Sequence, residues 1–273
     1  MAMIAPATQV AAAQRTPLPY GLFSVFAPRP DAQERWRNGI AWETLTCEPV
    51  LGLGAPDCDP EEIIGLPKDL GRLDREDGEA SPFTVYGHHQ CSPIGTPAEL
   101  AQSLANQHLI NREEARVEQA LWTGDLGNVP NFAGANGYGA PDNAGSVAAN
   151  AAWSGVAKLE QYSAVHFGSQ GVIHMSRYWA TMLADDGDLR FTNGRTFTPL
   201  GTPVVAGAGY GDDKFVFTPP LFGYRSEILS SSDRPYDLLD RSQNNLYAIA
   251  ERQYVIGFDP CGLAAVTIDD EGA

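Results

Sequence analysis

A chain of 273 residues, of which 43% are hydrophobic and 10% aromatic, can form one large or two ordinary domains, and this composition excludes a disordered protein. Its 34 acidic residues outnumber 18 basic ones, for a formal net charge of −16. Because no four basic residues cluster, the sequence predicts no nucleic-acid-binding surface. No stretch approaches the roughly 20 consecutive apolar residues that a membrane-spanning helix needs.

The first 35 residues contain five prolines and little hydrophobic periodicity, which predicts an extended arm. The beginning of the chain has no basic region and no long apolar run, so we expect no signal peptide and a protein retained in a cytoplasm. Because that compartment keeps thiols reduced, we expect free thiols at all four cysteines. These are Cys47, Cys58, Cys91 and Cys261.

Residues 36–95 have a different composition. Strands are predicted over residues 36–47 and 83–89, and the acidic stretch between them, residues 52–79, is rich in glycine, proline and aspartate. Connections of that length are usually functional or disordered. Because neither the arm nor residues 36–95 could fill a compact core alone, we expect neighbouring molecules to order them.

The sharpest local signal opens a long helix. Thr96 is a candidate N-cap, Pro97 suits the first helical position, and Glu99 completes a capping box. The helix can run to Thr123, with Gly124 as its C-cap, and would be roughly 40 Å long. A helix of that length either crosses a whole domain, as a spine helix, or connects subunits.

The two faces of this helix differ in composition. One face is predicted to pack against a sheet and carries Leu100, Leu104, Ile110, Val117, Ala120 and Leu121. The other is predicted to meet solvent or a neighbouring subunit and carries Arg112, Glu113, Glu114, Arg116 and Glu118.

The rest of the chain mixes helix and strand signals. Residues 127–149 are rich in glycine, asparagine and alanine and are predicted to form a loop, and residues 150–165 a helix. Ser176 is a candidate N-cap after a short buried strand, and Asn193-Gly194 is a strong hairpin signal. Residues 246–268 favour strand and return the end of the chain to a sheet. The predicted class is α+β.

His88, His89 and Cys91 are the best metal-ligand candidates, with Cys47 and Cys58 as further thiols. Structural zinc sites usually show two close pairs of ligands, and the cysteine spacing gives none. Ordinary thiols and loop histidines are therefore the better interpretation, and we expect no metal or cofactor. A metal-binding module stays an alternative.

Catalytic signals are weaker still. Residues 168–171 lack the Gly-x-Ser-x-Gly elbow that exposes a nucleophile, and no Asp-His-Ser arrangement follows from the spacing. His174 lies in an apolar run and is predicted to be a core histidine with satisfied hydrogen bonds. We therefore expect no enzyme, with a soluble hydrolase as the alternative from a different class.

The order of elements resembles the tailed-bacteriophage major capsid proteins of the Hong Kong 97-type fold, which encapsulins share. The resemblance lies in the spine helix ending at Trp122-Thr-Gly-Asp125, the following Gly/Asn loop, and the Leu-Gly-x-Pro-Val-Val run of residues 200–205. Residues 242–245, 250–252 and 258–261 are also similar to actinobacterial-phage virion proteins. By order of elements, the resemblance covers most of the chain.

The resemblance implies an α+β Hong Kong 97-type fold with a defined domain order. It divides the chain into an N-arm (1–35), an E-loop with adjoining P-domain strands (36–95), a P-domain spine helix (96–126), an A-domain (127–245) and returning terminal strands (246–273).

The implied function is that of a major capsid subunit, assembled in the host cytoplasm into the hexamers and pentamers of a virion. Its shell would enclose double-stranded DNA without sequence-specific binding. Scaffold, portal or decoration proteins would be separate partners. A minor virion component or an encapsulin-type compartment of the same fold stays open.

The resemblance also suggests which residues form the assembly interface. These are Lys68, Glu113, Arg116 and Glu118. Some family members join an E-loop lysine to an asparagine of the next subunit, and Lys68 is the only lysine of this loop, with Asn244 and Asn245 as conceivable partners. We expect no such crosslink, because the reaction also needs a buried carboxylate close to both groups.

Overall fold

The computed structural model describes residues 15–30, 35–44, 77–92, 97–135, 140–231, 239–240 and 242–269. In these residues the chain forms two large β-sheets and one small antiparallel pair. The longest helix packs on the six-stranded sheet, and two shorter helices pack on the seven-stranded sheet. One hydrophobic core surrounds the longest helix and contains residues of both large sheets, and a second core lies between the seven-stranded sheet and the two shorter helices.

The elements have the following bounds. The helices are α1 (Ala98–Thr123), α2 (Ala152–Tyr162) and α3 (Arg177–Asp185). The six-stranded sheet contains β1 (Arg29–Pro30), β4 (Phe83–Cys91), β11 (Phe222–Arg225), β12 (Leu229–Ser230), β13 (Leu239–Asp240) and β14 (Asn245–Gly257). The seven-stranded sheet contains, in spatial order, β5 (Asp142–Ala148), β15 (Ala264–Asp269), β10 (Lys214–Thr218), β6 (Val172–Ser176), β9 (Pro203–Gly207), β8 (Arg195–Phe197) and β7 (Arg190–Thr192). The antiparallel pair is β2 (Ile40–Glu43) with β3 (Asp77–Ala80).

The spine helix α1 has 26 residues and is therefore about 39 Å long. Its predicted C-cap is confirmed: Gly124 is left-handed at φ 69°, and its N–H donates to the Ala120 carbonyl at 2.8 Å. The predicted beginning is displaced by one residue, because Pro97 is extended and its carbonyl accepts the first helical hydrogen bond. Thr96 of the predicted capping box lies outside the described residues.

The predicted apolar face of α1 is confirmed in its second half and wrong in its first. Val117, Ala120 and Leu121 are buried. By contrast, Leu100 is 50% exposed, Ile110 is 44% exposed and Leu104 is only half-buried.

The first half of α1 turns a different face inward because strand β4 approaches it very closely. A Cβ atom at Gly87 would lie 2.6 Å from the backbone nitrogen of Leu109. Alanines at positions 101 and 105, followed by Leu109, therefore form the buried stripe, and the larger Leu100 and Ile110 lie on the outer side.

Several local predictions in the second half of the chain are confirmed. The helix predicted over residues 150–165 is α2 with a wider helical turn after it. The Ser176 hydroxyl accepts the Trp179 N–H at 3.4 Å and caps α3. Asn193 and Gly194, with φ 51° and 76°, connect β7 to β8. The loop predicted over residues 127–149 is partly wrong, because β5 lies within it.

The end of the chain returns to a sheet as predicted, and it enters both sheets. Strand β14 pairs along the whole of β4 in one sheet, and β15 pairs with β10 and β5 in the other. Strand β11, from the stretch assigned to the A-domain, pairs with β14. The end of the chain, with β14 and β15, therefore connects the two cores.

The described part of the N-terminal segment does not depend on neighbours for its burial. Leu22 is fully buried and Phe26 is 6% exposed, both in the core that surrounds α1. The expectation that neighbouring molecules order this segment is therefore wrong for these residues.

The cysteines divide into two cases. Cys91 is a free thiol, as expected, whereas Cys261 is disulfide-bonded, so that expectation is wrong there. Cys47 and Cys58 lie outside the described residues. In the part of the chain that the structure describes, none of the helices is both long and apolar enough to span a bilayer.

Candidate functional site

Three glutamates lie in the second half of α1, where the two cores meet. Glu113 is 7% exposed, Glu118 is 1% exposed and Glu114 is half-buried. Their predicted position on a solvated or inter-subunit face is therefore wrong for Glu113 and Glu118. The reason is helical periodicity: Glu113 lies four residues after Leu109 and four before Val117, both buried.

Glu113 anchors α1 to strand β14. The Arg252 Nη1 atom lies 2.8 Å from both carboxylate oxygens of Glu113, and the Tyr254 hydroxyl donates to Oε2 at 3.0 Å. Burial, and then the nearby carboxylate, raise the pKa of Tyr254, so this hydroxyl stays a neutral donor. Water has little access to the ion pair, because the two side chains are only 11% and 9% exposed.

Glu114 and Glu118 hold backbone N–H groups instead of cations. Glu118 Oε1 accepts the Leu22 N–H at 2.9 Å and its Oε2 accepts the Gly209 N–H at 2.9 Å. Glu114 Oε1 accepts the Phe23 N–H at 2.7 Å. Gly209 sits so close to α1 that a Cβ atom there would lie 2.0 Å from the Ala115 carbonyl oxygen.

Residues 19–26, which we call the N-terminal strap, are held on their other side by the seven-stranded sheet. Arg177 Nη1 donates to the Pro19 carbonyl at 2.7 Å, and the Ala206 N–H donates to the Tyr20 carbonyl at 2.9 Å. The strap thus bridges α1 to β9 and α3. Together with Glu113, Glu114 and Glu118 it forms the junction between the two cores.

Burial dominates the electrostatics of this junction. It raises the pKa of Glu118 from the ordinary 4.5 to about 7, although the hydrogen bonds from Leu22 and Gly209 act in the opposite direction. It also raises the pKa of Glu114, against the Phe23 N–H and the charge of Arg177. Both shifts arise because water no longer solvates the charged carboxylate.

Arg116, predicted at an inter-subunit interface, is paired within its own chain. Its guanidinium forms two contacts with the Asp125 carboxylate, Nη1–Oδ1 at 3.1 Å and Nη2–Oδ2 at 3.0 Å, beyond the end of α1. These hydrogen bonds lower the pKa of Asp125. Both side chains stay partly exposed, so Arg116 remains accessible to a neighbour. Lys68 lies outside the described residues.

The candidate metal ligands lie along β4. His88 and His89 point to opposite faces of the strand because side chains alternate, and Cys91 shares the face of His89. The His88 carbonyl lies 3.1 Å from Nδ1 of His108. Across the described residues, no group of three histidine, cysteine, aspartate or glutamate side chains is placed to hold a metal ion.

His174 is fully buried with both ring nitrogens hydrogen-bonded, as predicted. Nδ1 lies 3.0 Å from the Tyr210 hydroxyl and Nε2 lies 2.9 Å from Thr218 Oγ1. Burial lowers the pKa of His174 to about 3, so the ring is neutral in the core.

Sequence reasoning missed the roles of Leu22, Gly209 and Arg252 in the junction. One signal for the buried glutamate was present, because Leu109, Glu113, Val117 and Leu121 recur at intervals of four. The partners of these carboxylates carried no local signal, since they lie far away in the chain.

No family model matches the sequence, and no curated protein matches it either. Solved structures do match along nearly their whole length. A structure from Mycobacterium phage Adephagia has 13% identity and a TM-score of 0.62, with 99% of this chain and 97% of that chain covered. The capsid of an empty GTA particle has 10% identity and a TM-score of 0.59, covering 98% and 95%. A structure from Mycobacterium phage Cain has 13% identity and a TM-score of 0.60, covering 98% and 96%.

These similarities concern the fold, since the identities are low. The chain has the α+β fold of these structures, the Hong Kong 97-type fold that the sequence resemblance implied.

Proposed function

We propose that this protein is a major capsid subunit that assembles into hexamers and pentamers, forming an icosahedral head around double-stranded DNA. The observation that carries the proposal is coverage in both directions: 98–99% of this chain corresponds to 95–97% of the three phage and GTA-capsid chains. The shared fold therefore accounts for nearly the whole of this chain and of those three chains.

Exposed apolar side chains support an assembling subunit. Trp153 is 57% exposed and Leu200 is 80% exposed, and both line a groove of about 370 Å³ beside α2. Tyr86 on β4 and Tyr178 on α3 are 66% and 56% exposed. A groove lined by large exposed apolar groups, such as Trp153 and Leu200, is typical of a surface that another protein covers.

The acidic composition suits a container for DNA. A net charge of −16 repels the phosphate backbone, so DNA inside the shell would not adhere to the wall. The role is structural and not enzymatic. Scaffold, portal and decoration proteins would be separate chains, and assembly would take place in the host cytoplasm before the subunit becomes part of the virion.

The division that we propose keeps the expected parts but moves β11, β12 and β13, which lie within residues 127–245, to the P-domain, and the terminal strand β15 to the A-domain. The spine helix and the six-stranded sheet would form the P-domain, and the seven-stranded sheet with α2 and α3 would form the A-domain. The pair β2 and β3 would be the base of the E-loop. Hexamers and pentamers would then be held by many modest contacts that closed symmetry multiplies.

Sedimentation of the purified protein tests this proposal. We expect uniform closed particles that sediment fast, formed by the protein alone or with its scaffold. Particles from infected cells should contain nuclease-resistant DNA. Particles filled with an enzyme would indicate an encapsulin-type compartment instead. A protein that stays monomeric both alone and with its scaffold would contradict the proposal.

Arg116 gives a residue-level prediction for assembly. We expect Arg116→Glu to leave the subunit folded by circular dichroism and to make it sediment as small species. Loss of the ion pair with Asp125 costs the subunit only about 1 kcal/mol or less, because the pair is partly exposed. The introduced negative charge would also face the neighbouring subunit, and this unfavourable contact would recur at every equivalent position in the shell.

A charge swap separates the two roles of Arg116. The double variant Arg116→Asp with Asp125→Arg restores an ion pair within the subunit while it reverses the charge that a neighbour meets. We expect the swap to assemble as poorly as Arg116→Glu. Normal shells from the swap would mean that only the pair within the subunit matters.

A further inference from the structure

We propose that the groove beside α2 binds the β7–β8 hairpin of a second copy of this chain. The groove is lined mainly by α2 and by the turn of residues 198–200, and the hairpin comprises residues 190–197. This pairing rests on the proposed function, because it names the partner surface of a contact between the proposed subunits.

The apolar rim of the groove is held rigidly in water. Leu200, which is 80% exposed, lies in a turn that is closed by the Thr198 N–H, which donates to the Thr202 carbonyl at 2.9 Å. The hydroxyl groups of Thr198 and Thr202 also donate to the Glu160 carboxylate of α2, at 2.5 and 2.9 Å. The turn is therefore tied to the helix that carries Trp153. Apolar groups fixed in this way lose little conformational freedom when a partner covers them.

The lining of the groove is acidic. Glu160 and Asp188 contribute to it, and no basic residue is among the described residues that line it. Asp185 and Asp186, both exposed, come shortly before Asp188 in the chain. Because the whole chain carries a net charge of −16, most of the surface of a second copy would be repelled here. The partner surface must therefore bring positive charge.

The β7–β8 hairpin supplies this charge. Arg190 and Arg195 are exposed, and neither side chain forms a hydrogen bond or ion pair with the residues that the structure describes. By contrast, Lys158, Arg177 and Lys214, which belong to the same sheet and its helices, donate to backbone carbonyls. The two hairpin arginines are therefore available to acidic groups of another molecule.

The hairpin also presents an aromatic ring. Phe191 is 43% exposed, and its ring centroid lies 5.2 Å from that of Tyr20. Side chains alternate along a strand, so Phe191 and Arg190 point to opposite faces of the hairpin. A hairpin that enters the groove can therefore present the ring to one wall and the charge to the other.

The hairpin of the same chain cannot fill the groove. It begins two residues after Asp188 and ends one residue before Thr198, and both of these residues line the groove. Strand β8 is also paired with β9, through Thr196 with Val204, which fixes the hairpin in the sheet. The hairpin must therefore come from another copy. Because hairpin and groove are different surfaces, every copy can give one and receive one, and such contacts can close into a ring.

Fluorescence quenching of Trp153 by acrylamide tests whether assembly covers the groove. Trp153 is 57% exposed, whereas Trp36, Trp122 and Trp179 are buried, and Trp153→Phe gives the background of the other tryptophans. We expect the quenching constant of Trp153 to fall at least about threefold from unassembled subunit to particles, because aromatic groups in an interface lose their water. Particles in which Trp153 stays as accessible as in the subunit would overturn this pairing and leave the proposed function intact. A protein that never assembles would overturn both.

Charge reversal tests whether the hairpin is the occupant. Arg190→Glu with Arg195→Glu should lower the amount of protein in particles at least about tenfold, at the concentration where the wild type is half-assembled, because like charges then meet in the groove. Circular dichroism should show a folded subunit, since both positions are exposed.

Asp188→Arg, added to this double variant, is the matched control. It should recover part of the lost assembly, because the groove then attracts the reversed hairpin, whereas a merely distorted hairpin would not recover. Undiminished assembly of the double variant, or no recovery on adding Asp188→Arg, would show that a surface other than the hairpin meets the groove and would overturn the pairing.

Discussion

Replacing Glu113 with alanine should lower the free energy of unfolding by about 3–5 kcal/mol. The variant leaves the Arg252 guanidinium buried without the carboxylate that lies 2.8 Å from it, and it removes the acceptor of the Tyr254 hydroxyl. A buried charge that loses its partner keeps its full cost of desolvation, which is why one deletion has so large an effect. Urea unfolding of the purified protein measures this free energy.

The double variant Glu113→Leu with Arg252→Met shows whether the unpaired charge is the cause. We expect it to be more stable than Glu113→Ala, because an apolar pair of similar volume avoids the desolvation cost. Glu99→Ala, at an exposed position, should stay within about 0.5 kcal/mol of the wild type. If Glu113→Ala costs no more than Glu99→Ala, the buried ion pair does not exist in solution.

Leu109→Ala should destabilise the protein by about 2–5 kcal/mol, the usual cost of a cavity at a buried leucine. Leu109 is 2% exposed and lies where β4 comes closest to α1, beside Gly87. The strand and helix backbones are already in contact there, so the site has little room to collapse around the missing side chain. Thermal or urea unfolding gives the value.

The matched controls for Leu109 are leucines on the same helix. Leu100→Ala should cost far less, because Leu100 is 50% exposed, and half-buried Leu104 should fall in between. The sequence pattern placed Leu104, and not Leu109, on the face predicted to be buried. A larger loss for Leu104→Ala than for Leu109→Ala would show that α1 is rotated from the orientation described.

Features set by a few adjacent residues could be predicted from the sequence. Gly124 ends α1 because a left-handed residue costs glycine little, and Ser176 caps α3 with its own hydroxyl. Asn193-Gly194 forms the hairpin turn for the same local reason. None of these depends on what the rest of the chain does.

The orientation of α1 could not be predicted in the same way, because distant residues decide it. The helix has small apolar residues on one side and large ones on another, and only the approach of Gly87 selects the small side. Similarly, Glu118 meets Leu22, 96 positions away, and Glu113 meets Arg252, 139 positions away. Glutamates among arginines on a helix predict a solvated face, because partners so far away in the chain leave no local signal.

The same limit explains the strand missed in the Gly/Asn/Ala-rich stretch. Strand β5 contains residues with low strand propensity and forms because it runs parallel to β15, near the other end of the chain. Glycine and asparagine predict a loop when only local conformation is considered. Pairing with a distant strand overrides that preference at the edge of the sheet.

Electron microscopy of the purified protein, produced alone and with its own scaffold, decides whether this chain forms a shell. We expect closed icosahedral shells of hexamers and pentamers, in which each copy of the chain has the two-sheet fold with α1 between the strap and β14. Uniform monomers or small open oligomers under both conditions would contradict it, as would shells whose density does not fit this fold.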